Sequence, residues 1–414
     1  MSETNIFNQY MNKTNTIVKN KKILQSTYVP ENLPHRDDKI GEIAEILSPA
    51  LSNDKPSNIL IIGKTGTGKT AVVNFVGNEL KKICEMNKDV SQCAFIYVNC
   101  EVVDTPYGIL YNICNQIITD PAKKIPFTGW SIEKILSEMT KIVEEENKIF
   151  IIVLDEIDRS IQKNGDDIFY YLTSVNDVTK NSKISIVGIT NNSKFTELLD
   201  TKIRSRLSEE KIIFPPYNVE QLKDILYDRA KEAFIEGMIN DDVIPYCAAL
   251  SAQEMGDARK ALDLLRMSAD LAERNGDSKV TVAHVKLARS KIEVDATTEI
   301  VKTLTDQSKV VLFSIILNKE KGMEFQKTGD VYTTYKIVCE NIDMSVLTQR
   351  RVGGLISELD MLGIIHARVK SFGKAGRTKE IELIIPKETI QMVTGDELFV
   401  NYLNHKSRKQ TTLI

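Results

Sequence analysis

The amino-acid sequence predicts an α/β domain with a five-stranded parallel sheet, followed by an all-α region and a C-terminal winged helix-turn-helix domain. Three observations predict this fold class. Short apolar runs alternate with helical patterns from Asn58 to Ile213, only helical periodicity follows up to Ser290, and a glycine-containing hairpin follows helical stretches near the C-terminus. The predicted boundaries are a flexible leader at 1–25, an α/β base at 26–214, a helical region at 215–293 and a winged helix at 294–414.

Five apolar runs are the candidate strands of the sheet. Their apolar residues stand at consecutive positions rather than alternate ones, which is typical of parallel strands that helices bury on both faces. Helical patterns lie between the runs, so we expect a doubly wound sheet. The predicted strands are Ile59–Ile62, Ala94–Val98, Ile149–Leu154, Ile184–Ile189 and Ile212–Phe214.

The chain changes character after the last of these strands. Pro215–Pro216 closes the α/β region, and the helical region that follows extends to a segment, 291–300, that we expect to be a link. Three helical stretches then precede a hairpin formed by Ile364–Val369 and Glu380–Ile385. Helices followed by such a hairpin indicate a winged helix-turn-helix.

Composition limits the classes of function. The apolar fraction is 42%, the net charge is −3 and the pI is about 6.0, so any nucleic-acid surface must be local. The polar N-terminus lacks the apolar core of a signal peptide, and no apolar run approaches the roughly 18 residues of a membrane span, so we expect no membrane partner. The six cysteines form no C-x-x-C pair, which favours a reducing cytoplasm and disfavours a zinc site.

The segment Gly63–Thr70 matches the phosphate-binding pattern G-x-x-x-x-G-K-[ST], the P-loop, between an apolar strand and a helical run. Glycines let backbone N–H groups surround phosphate oxygens, and the helix N-terminus adds positive potential. We expect Lys69 to reach the β- and γ-phosphates and Thr70 to ligate Mg²⁺, with ATP or ADP as the nucleotide. A chance glycine-rich turn is the alternative. The residues predicted to contact the nucleotide here are Gly63, Lys64, Thr65, Gly66, Thr67, Gly68, Lys69, Thr70 and Ala71.

Two further strands end in polar residues that suit phosphate chemistry. Asp155 and Glu156 follow a strand that we expect beside the P-loop strand. Asp155 is predicted to hold the Mg²⁺ shell, and Glu156 to orient the attacking water and accept its proton. Asn191 follows another strand, where its amide could bond the γ-phosphate or the water. Ordinary turn chemistry explains this asparagine equally well.

The order of these motifs resembles that of the AAA+ ATPases, and within them the archaeal replication initiators related to the eukaryotic origin recognition complex and its helicase-loading partner. The resemblance extends from Tyr28 to Leu383 and is carried by GKTGTGKT, VLDEIDRS, GITNN, GDARKALDLLR and LTQRRVGGLISELDMLGII. It implies an AAA+ base, an all-α lid and a winged helix. It also implies a slow ATPase that acts as a switch, on double-stranded origin DNA, with identical or paralogous subunits and the replicative helicase as partners, in the cytoplasm near the nucleoid.

The resemblance also implies roles for single residues. Asn191 matches the first sensor, and Arg259 matches the second sensor, which reaches the γ-phosphate from the lid. Arg204 and Arg206 are candidates for an arginine finger that completes a neighbouring subunit's site. The remaining positions that the resemblance places around the nucleotide are Val29, Pro30, Arg36, Tyr217 and Arg229.

The C-terminal region carries a local basic surface. Residues 301–414 contain 17 Lys and Arg against 13 Asp and Glu, a net of +4, but segment 366–379 contains five cations and no acid. Such a hairpin suits the minor groove or the phosphate backbone, and the first turn of the helix predicted from Thr348 suits bases or phosphates. A packing helix with a solvated face is the alternative. The predicted DNA-contacting residues are Thr348, Gln349, Arg350, Arg351, Arg368, Lys370, Lys374, Arg377 and Lys379.

Two other functions remain open at the level of sequence. A clamp-loader-like motor would turn over ATP quickly, and the C-terminal winged helix argues against it. A transcriptional regulator would use its ATP site only to tune DNA affinity. The substitution Glu156→Gln separates these functions, because an initiator or motor would be trapped with ATP and a regulator would hardly respond.

Overall fold

The computed structural model describes residues 16–25, 28, 30, 32–87, 93–207, 209–371, 377–399 and 402. The chain divides into two compact units, of which the first ends at Val285 and the second begins at Lys286. Among the described residues, no helix has both the length and the apolar character that crossing a membrane requires. The predicted boundaries at residues 214 and 293 stay predictions.

The first unit is built on a five-stranded parallel sheet in the order β2-β3-β4-β1-β5. All seven residues of β3 are buried, as expected for a central strand covered on both faces. The predicted sheet is therefore confirmed, and no strand end differs from its predicted position by more than two residues. The strands are β1 (Ile59–Gly63), β2 (Cys93–Asn99), β3 (Ile149–Asp155), β4 (Lys183–Thr190) and β5 (Glu210–Phe214).

Successive residues of each strand enter two different apolar clusters, one on each face of the sheet. Among the described residues, seven helices cover the sheet. In β1, Ile59 and Ile61 pack with the two helices that come first along the chain, whereas Leu60 and Ile62 pack with the five that follow. This two-sided burial explains the continuous apolar runs of the sequence. The helices are α1 (Asp37–Leu47), α2 (Lys69–Met86), α3 (Pro106–Ile117), α4 (Ile132–Glu146), α5 (Ile157–Asn164), α6 (Asp167–Val178) and α7 (Thr201–Leu207).

The region after β5 is helical, as predicted, and its helices are capped by their own sequence. Asn218 and Gln221 form a capping box at the first of them, and the Asp257 carboxylate accepts the backbone N–H groups of Arg259 and Lys260 at the third. The prediction of a link at 291–300 is wrong. That segment lies inside a helix, because no glycine or proline interrupts it. The helices are α8 (Val219–Ala233), α9 (Val243–Gln253), α10 (Ala258–Asn275) and α11 (Val282–Thr303).

The N-terminal segment 16–25 packs against this helical region. Ile17 and Val18 are 1% and 4% exposed, and their backbone N–H groups donate to Glu273 Oε1 at 3.0 and 3.1 Å. Lys21 forms an ion pair with Glu273 Oε2 at 2.6 Å. The prediction of a flexible leader at 1–25 is therefore wrong for 16–25, because buried apolar side chains stand among its polar residues. Residues 1–15 lie outside the described part of the chain.

The second unit has the predicted winged-helix architecture, with helices followed by an antiparallel hairpin. Ile365 pairs with Leu383 in this hairpin. A strand of only two residues, which sequence did not predict, adds a third strand in the order β6-β8-β7. Phe313 and Phe399 stack at 4.0 Å in the core. The elements are α12 (Asp306–Glu320), β6 (Gln326–Lys327), α13 (Thr328–Asn341), α14 (Gln349–Met361), β7 (Ile365–Ser371), β8 (Arg377–Leu383) and α15 (Lys387–Thr394).

Candidate functional site

The loop between β1 and α2 has a conformation that requires glycine. Gly66 and Gly68 have backbone φ angles of 69° and 89°, which residues with a Cβ atom rarely adopt. A Cβ at Gly66 would lie 1.7 Å from Asp257 Oδ1, and one at Gly68 would lie 2.8 Å from the Tyr217 hydroxyl. The loop then enters α2 at Lys69. Gly63–Thr70 therefore form a tight turn at a helix N-terminus, which is an arrangement suited to an anion.

Lys69 reaches back across this loop. Its ammonium donates to the carbonyl oxygens of Gly63 and Lys64 at 2.7 and 2.8 Å, and to Asn191 Oδ1 at 2.7 Å. Burial lowers the pKa of Lys69 to about 8; the positive charge of Arg259 acts in the same direction and the carboxylate of Asp155 opposes it. The Asn191 side chain thus contacts the P-loop lysine.

Asp155 is buried and accepts three hydrogen bonds. The Thr70 hydroxyl donates to Oδ2 at 2.7 Å, and the backbone N–H of Glu156 donates to Oδ1 at 2.9 Å. The Tyr97 hydroxyl, on β2, also donates to Oδ2 at 2.7 Å. Burial and the hydrogen bond to Asp155 raise the pKa of Tyr97 above its usual range. Sequence reasoning missed Tyr97, because only the pairing of β2 with β3 brings it to Asp155.

Glu156 stands at the turn from β3 into α5 with a φ of 56°, a left-handed conformation that is uncommon outside glycine. Non-glycine residues held in this region concentrate at functional sites, where the surrounding structure maintains the strain. Two residues later, Asp158 Oδ1 accepts a hydrogen bond from the Thr190 hydroxyl at 3.0 Å. This bond joins the start of α5 to the end of β4, and so to Asn191.

The five residues predicted to be catalytic meet around one small cavity at the carboxyl ends of the strands. Lys69, Asp155, Glu156, Asn191 and Arg259 all line it, together with the P-loop. Parallel α/β sheets bind their ligands at this edge. The P-loop residues that line the cavity are Thr65, Gly66, Thr67, Gly68, Lys69 and Thr70.

The helical region contacts the P-loop directly. The backbone N–H of Ala258 donates to the carbonyl oxygen of Gly66 at 3.1 Å. Asp257, which caps α10, lies against Gly66, and Arg259 follows it in the first turn. The position of α10 therefore depends on the conformation of the phosphate-binding loop.

A second cavity of about 1060 Å³ adjoins the first, since Gly66, Gly68, Thr70 and Arg259 line both. Four further residues predicted around the nucleotide, Pro30, Ala71, Tyr217 and Arg229, also line it. Arg229 is 8% exposed, and its Nη1 has no hydrogen-bond partner among the described residues. Its guanidinium lies 4.8 Å from the ring centroid of Tyr28, which sequence did not predict at the site. Val29 is outside the described residues.

Arg36 lines neither cavity, although the sequence predicted it beside the nucleotide. Arg36 is 4% exposed, and its guanidinium donates to three carbonyl oxygens: Thr67 at 3.0 Å, Pro215 at 2.9 Å and His35 at 3.1 Å. It also lies 3.8 Å from the ring centroid of Tyr217. Burial lowers the pKa of Arg36. Arg36 therefore connects the P-loop to the start of the helical region.

The arrangement fits a phosphate group with a divalent cation. The glycine cradle leaves no room for a side chain, Lys69 supplies a positive charge, and the Thr70–Asp155 pair offers oxygen ligands. Arg204 and Arg206 lie apart from this set. Both are exposed on α7, neither lines either of these two cavities, and Arg206 Nη1 donates to Thr173 Oγ1 at 3.4 Å.

The second unit places its predicted DNA-contacting residues on α14 and the hairpin. The Thr348 hydroxyl caps α14 by accepting the Arg351 backbone N–H, and Gln349, Arg350 and Arg351 are exposed in the first turn. Four further residues lie on the hairpin strands: Arg368 is exposed, Lys370 pairs with Glu380 at 2.9 Å, Lys379 donates to the Ser357 hydroxyl, and Arg377 is the first residue of β8. Lys374 is outside the described residues.

Three family models match the chain. The AAA domain matches residues 53–199, the Cdc6 AAA+ ATPase-type lid domain matches residues 223–290, and the CDC6 C-terminal winged helix domain matches residues 299–393. These models correspond in order to the sheet with its P-loop, the helical region and the second unit. The second match includes Arg229 and Arg259, and the third includes α14 and the hairpin.

Curated and solved relatives agree with these models. An ORC1-type DNA replication protein of Thermococcus onnurineus is 48% identical over 409 residues, covering 99% of this chain and 95% of that protein. Another, of Thermococcus kodakarensis, is 49% identical and covers 92% and 91%. The solved structure of the Aeropyrum pernix ORC1 protein in complex with DNA has 40% identity and a TM-score of 0.77, and covers 94% of this chain and 99% of that one. The chain therefore belongs to the family of ORC1-type DNA replication proteins, with the AAA+ ATPase domain, lid and winged helix of Cdc6-type initiators.

Proposed function

We propose that this protein binds double-stranded origin DNA in an ATP-dependent manner and helps to recruit the replicative helicase. The observation that carries the proposal is the convergence of Lys69, Asp155, Glu156, Asn191 and Arg259 on one small cavity beside the P-loop, in a chain that also has a winged helix. The relatives named as DNA replication proteins, and the Aeropyrum pernix relative solved with DNA, support the choice of DNA as the partner.

In the proposed nucleotide site, the P-loop glycines and each of these side chains have a role. Gly66 and Gly68 let backbone N–H groups surround the phosphates, while Lys69 supplies charge. Thr70 and Asp155 hold Mg²⁺, which supplies charge neutralisation at the phosphate oxygens when bound. Glu156 accepts the proton of the attacking water. The remaining contacts come from Asn191 and Arg259 at the γ-phosphate, and from Pro30, Ala71, Tyr217 and Arg229 in the larger cavity.

Hydrolysis serves as a switch in this proposal. The hydrogen bond from Ala258 to Gly66 gives the lid a direct response to the state of the phosphate-binding loop. Slow turnover is therefore expected. The exposed Arg204 and Arg206 are available to complete the site of an identical or paralogous subunit, so hydrolysis by an isolated chain is expected to be slower still.

The winged helix supplies the DNA contacts. Gln349, Arg350 and Arg351 occupy the first turn of α14, where a recognition helix reaches bases or phosphates. The hairpin residue Arg368 suits the backbone or minor groove. Lys370, also on the hairpin, is paired with the carboxylate of Glu380 at 2.9 Å, a surface ion pair that is weak enough to exchange for a phosphate.

Mapping the genomic sites that the protein occupies tests the proposed function. We expect the protein to act in the cytoplasm, where the genomic DNA lies. The wild-type protein is expected at sites where replication starts, and the Glu156→Gln variant is expected to stay there with bound ATP and to block helicase loading. Occupancy of promoters, with no response to Glu156→Gln, would instead identify a transcriptional regulator. Fast ATP turnover stimulated by a protein ring would identify a clamp-loader-like motor.

A further inference from the structure

We propose that Tyr97 is a positioning residue for the Mg²⁺ site, acting through Asp155. The inference rests on the proposed nucleotide site, and it adds a residue that none of the predicted motifs contains. Tyr97 lies on β2, opposite Val153 of β3 and therefore diagonal to Asp155. Residues two positions apart on a strand point to the same face of the sheet, so Asp155 shares the face of Val153, beside the Tyr97 ring.

The geometry gives the Tyr97 hydroxyl a specific partner. It donates to Asp155 Oδ2 at 2.7 Å, and the Thr70 hydroxyl donates to the same oxygen at 2.7 Å. The other oxygen, Oδ1, accepts the backbone N–H of Glu156 at 2.9 Å. Asp155 is only 3% exposed, so water has little access to replace a lost donor. Three donors therefore hold both carboxylate oxygens in one orientation.

This orientation matters for Thr70. A hydroxyl group has one proton to donate and lone pairs with which to accept. Because Thr70 gives its proton to Asp155, its lone pairs are free to face a cation. If the Asp155 carboxylate rotated, the Thr70 hydroxyl would lose its hydrogen bond, and its lone pairs would no longer face the cation in a fixed direction. Groups that orient the ligands of a metal without touching it change metal affinity by about 10-fold or more when they are removed.

The ring and the hydroxyl of Tyr97 do different things. The partly buried ring packs against the apolar cluster on one face of the sheet, with residues such as Ile151 and Val153. The substitution Tyr97→Phe keeps this packing and removes only the donor to Asp155. A purely structural role for Tyr97 would therefore be preserved in the phenylalanine variant, whereas a positioning role would be lost.

The experiment measures equilibrium ATP binding by the full-length protein as a function of free Mg²⁺ concentration. For Tyr97→Phe we expect the Mg²⁺ concentration at half-maximal effect to rise about 10-fold, with unchanged ATP affinity in EDTA. Mn²⁺ binding in the presence of ADP, measured by electron paramagnetic resonance, should weaken in parallel. In an Asp155→Asn background, Tyr97→Phe should have no further effect.

Tyr107→Phe is the matched control, because its hydroxyl donates only to the Pro126 carbonyl at 3.4 Å on an exposed surface. It should leave the Mg²⁺ dependence unchanged. An unchanged Mg²⁺ dependence in Tyr97→Phe, or an equal loss of ATP affinity in EDTA, would overturn the inference. If the wild-type protein bound no nucleotide with or without Mg²⁺, the proposed function itself would fail.

Discussion

Arg36 shows how a buried charge is maintained at the residue scale. A guanidinium removed from water is costly unless its N–H groups find acceptors, and here three of its donors reach backbone carbonyl oxygens. Two of these carbonyls, of Thr67 and Pro215, belong to the P-loop and to the start of the lid. Sequence resemblance placed Arg36 near the nucleotide, but periodicity could not reveal which groups it would bind.

Arg36→Lys tests this connection. Lysine keeps the charge, but its three donors sit on a single nitrogen, so it cannot reproduce bonds that Arg36 makes from Nε, Nη1 and Nη2 spread across a planar fork. We expect a loss of about 2 kcal/mol in the free energy of unfolding and about 10-fold weaker ATP binding, because the P-loop loses a support. Denaturant unfolding and equilibrium binding measure the two effects. Lys39→Arg, on the partly exposed pair with Glu42, should change neither quantity.

At the scale of elements, the N-terminal segment 16–25 depends on one side chain of α10. Glu273 accepts the backbone N–H groups of Ile17 and Val18 and pairs with Lys21. For Glu273→Ala we expect amide hydrogen exchange at Ile17 and Val18 to accelerate strongly, with a loss of about 1–3 kcal/mol in local stability. The exposed Glu236→Ala should leave this exchange unchanged. Undiminished protection in Glu273→Ala would show that apolar contacts alone hold the segment.

The same carboxylate predicts a pH dependence. Burial alone would raise the pKa of Glu273, but hydrogen bonds from Lys21, Val18 and Ile17, with the charge of Lys21, lower it below the ordinary value of 4.5. A carboxylate with a lowered pKa in the folded state stabilises that state fully above the ordinary value, and this stabilisation is lost as the pH falls through the lowered pKa. Protection of the Ile17 amide should therefore be constant near neutral pH and decrease below about pH 4.5.

The prediction for DNA binding concerns helix α14. Replacing Arg350 and Arg351 together by alanine should weaken binding to duplex DNA and reduce the slope of log affinity against log salt by about two, if each arginine neutralises one phosphate. Salt titration of binding by fluorescence anisotropy measures the slope. Lys302→Ala, which removes a cation from α11, should leave it unchanged. An unaltered slope in the double variant would place the contact surface elsewhere.

At the scale of the whole molecule, the prediction concerns coupling between nucleotide and DNA. Lys69→Ala removes the charge that spans the P-loop, so it should abolish the difference between DNA footprints measured with ATP and with ADP. DNA affinity without nucleotide should remain that of the wild-type protein, because α14 is intact. Footprinting on the same duplex with each nucleotide is the measurement. A variant that still distinguished ATP from ADP would contradict the coupling.

Much of the fold was predictable because its signals are local. Continuous apolar runs predicted β1–β5, and the glycines and lysine of Gly63–Thr70 predicted the phosphate-binding turn, since both patterns depend on neighbouring residues. The two-residue strand β6 was missed because its pattern is too short to detect. The helix through 291–300 was missed because a mixed polar composition resembles a link as much as a solvated helix.

By itself, the sequence determined the order of the three regions, the strands of the sheet and five side chains that meet at the small cavity beside the P-loop. Only the tertiary structure decided what holds those side chains in place. Tyr97 and Asp155 are 58 residues apart, Arg36 and Pro215 are 179 apart, and Val18 and Glu273 are 255 apart. Each contact depends on how strands and helices pack, and no spacing along the chain encodes that packing.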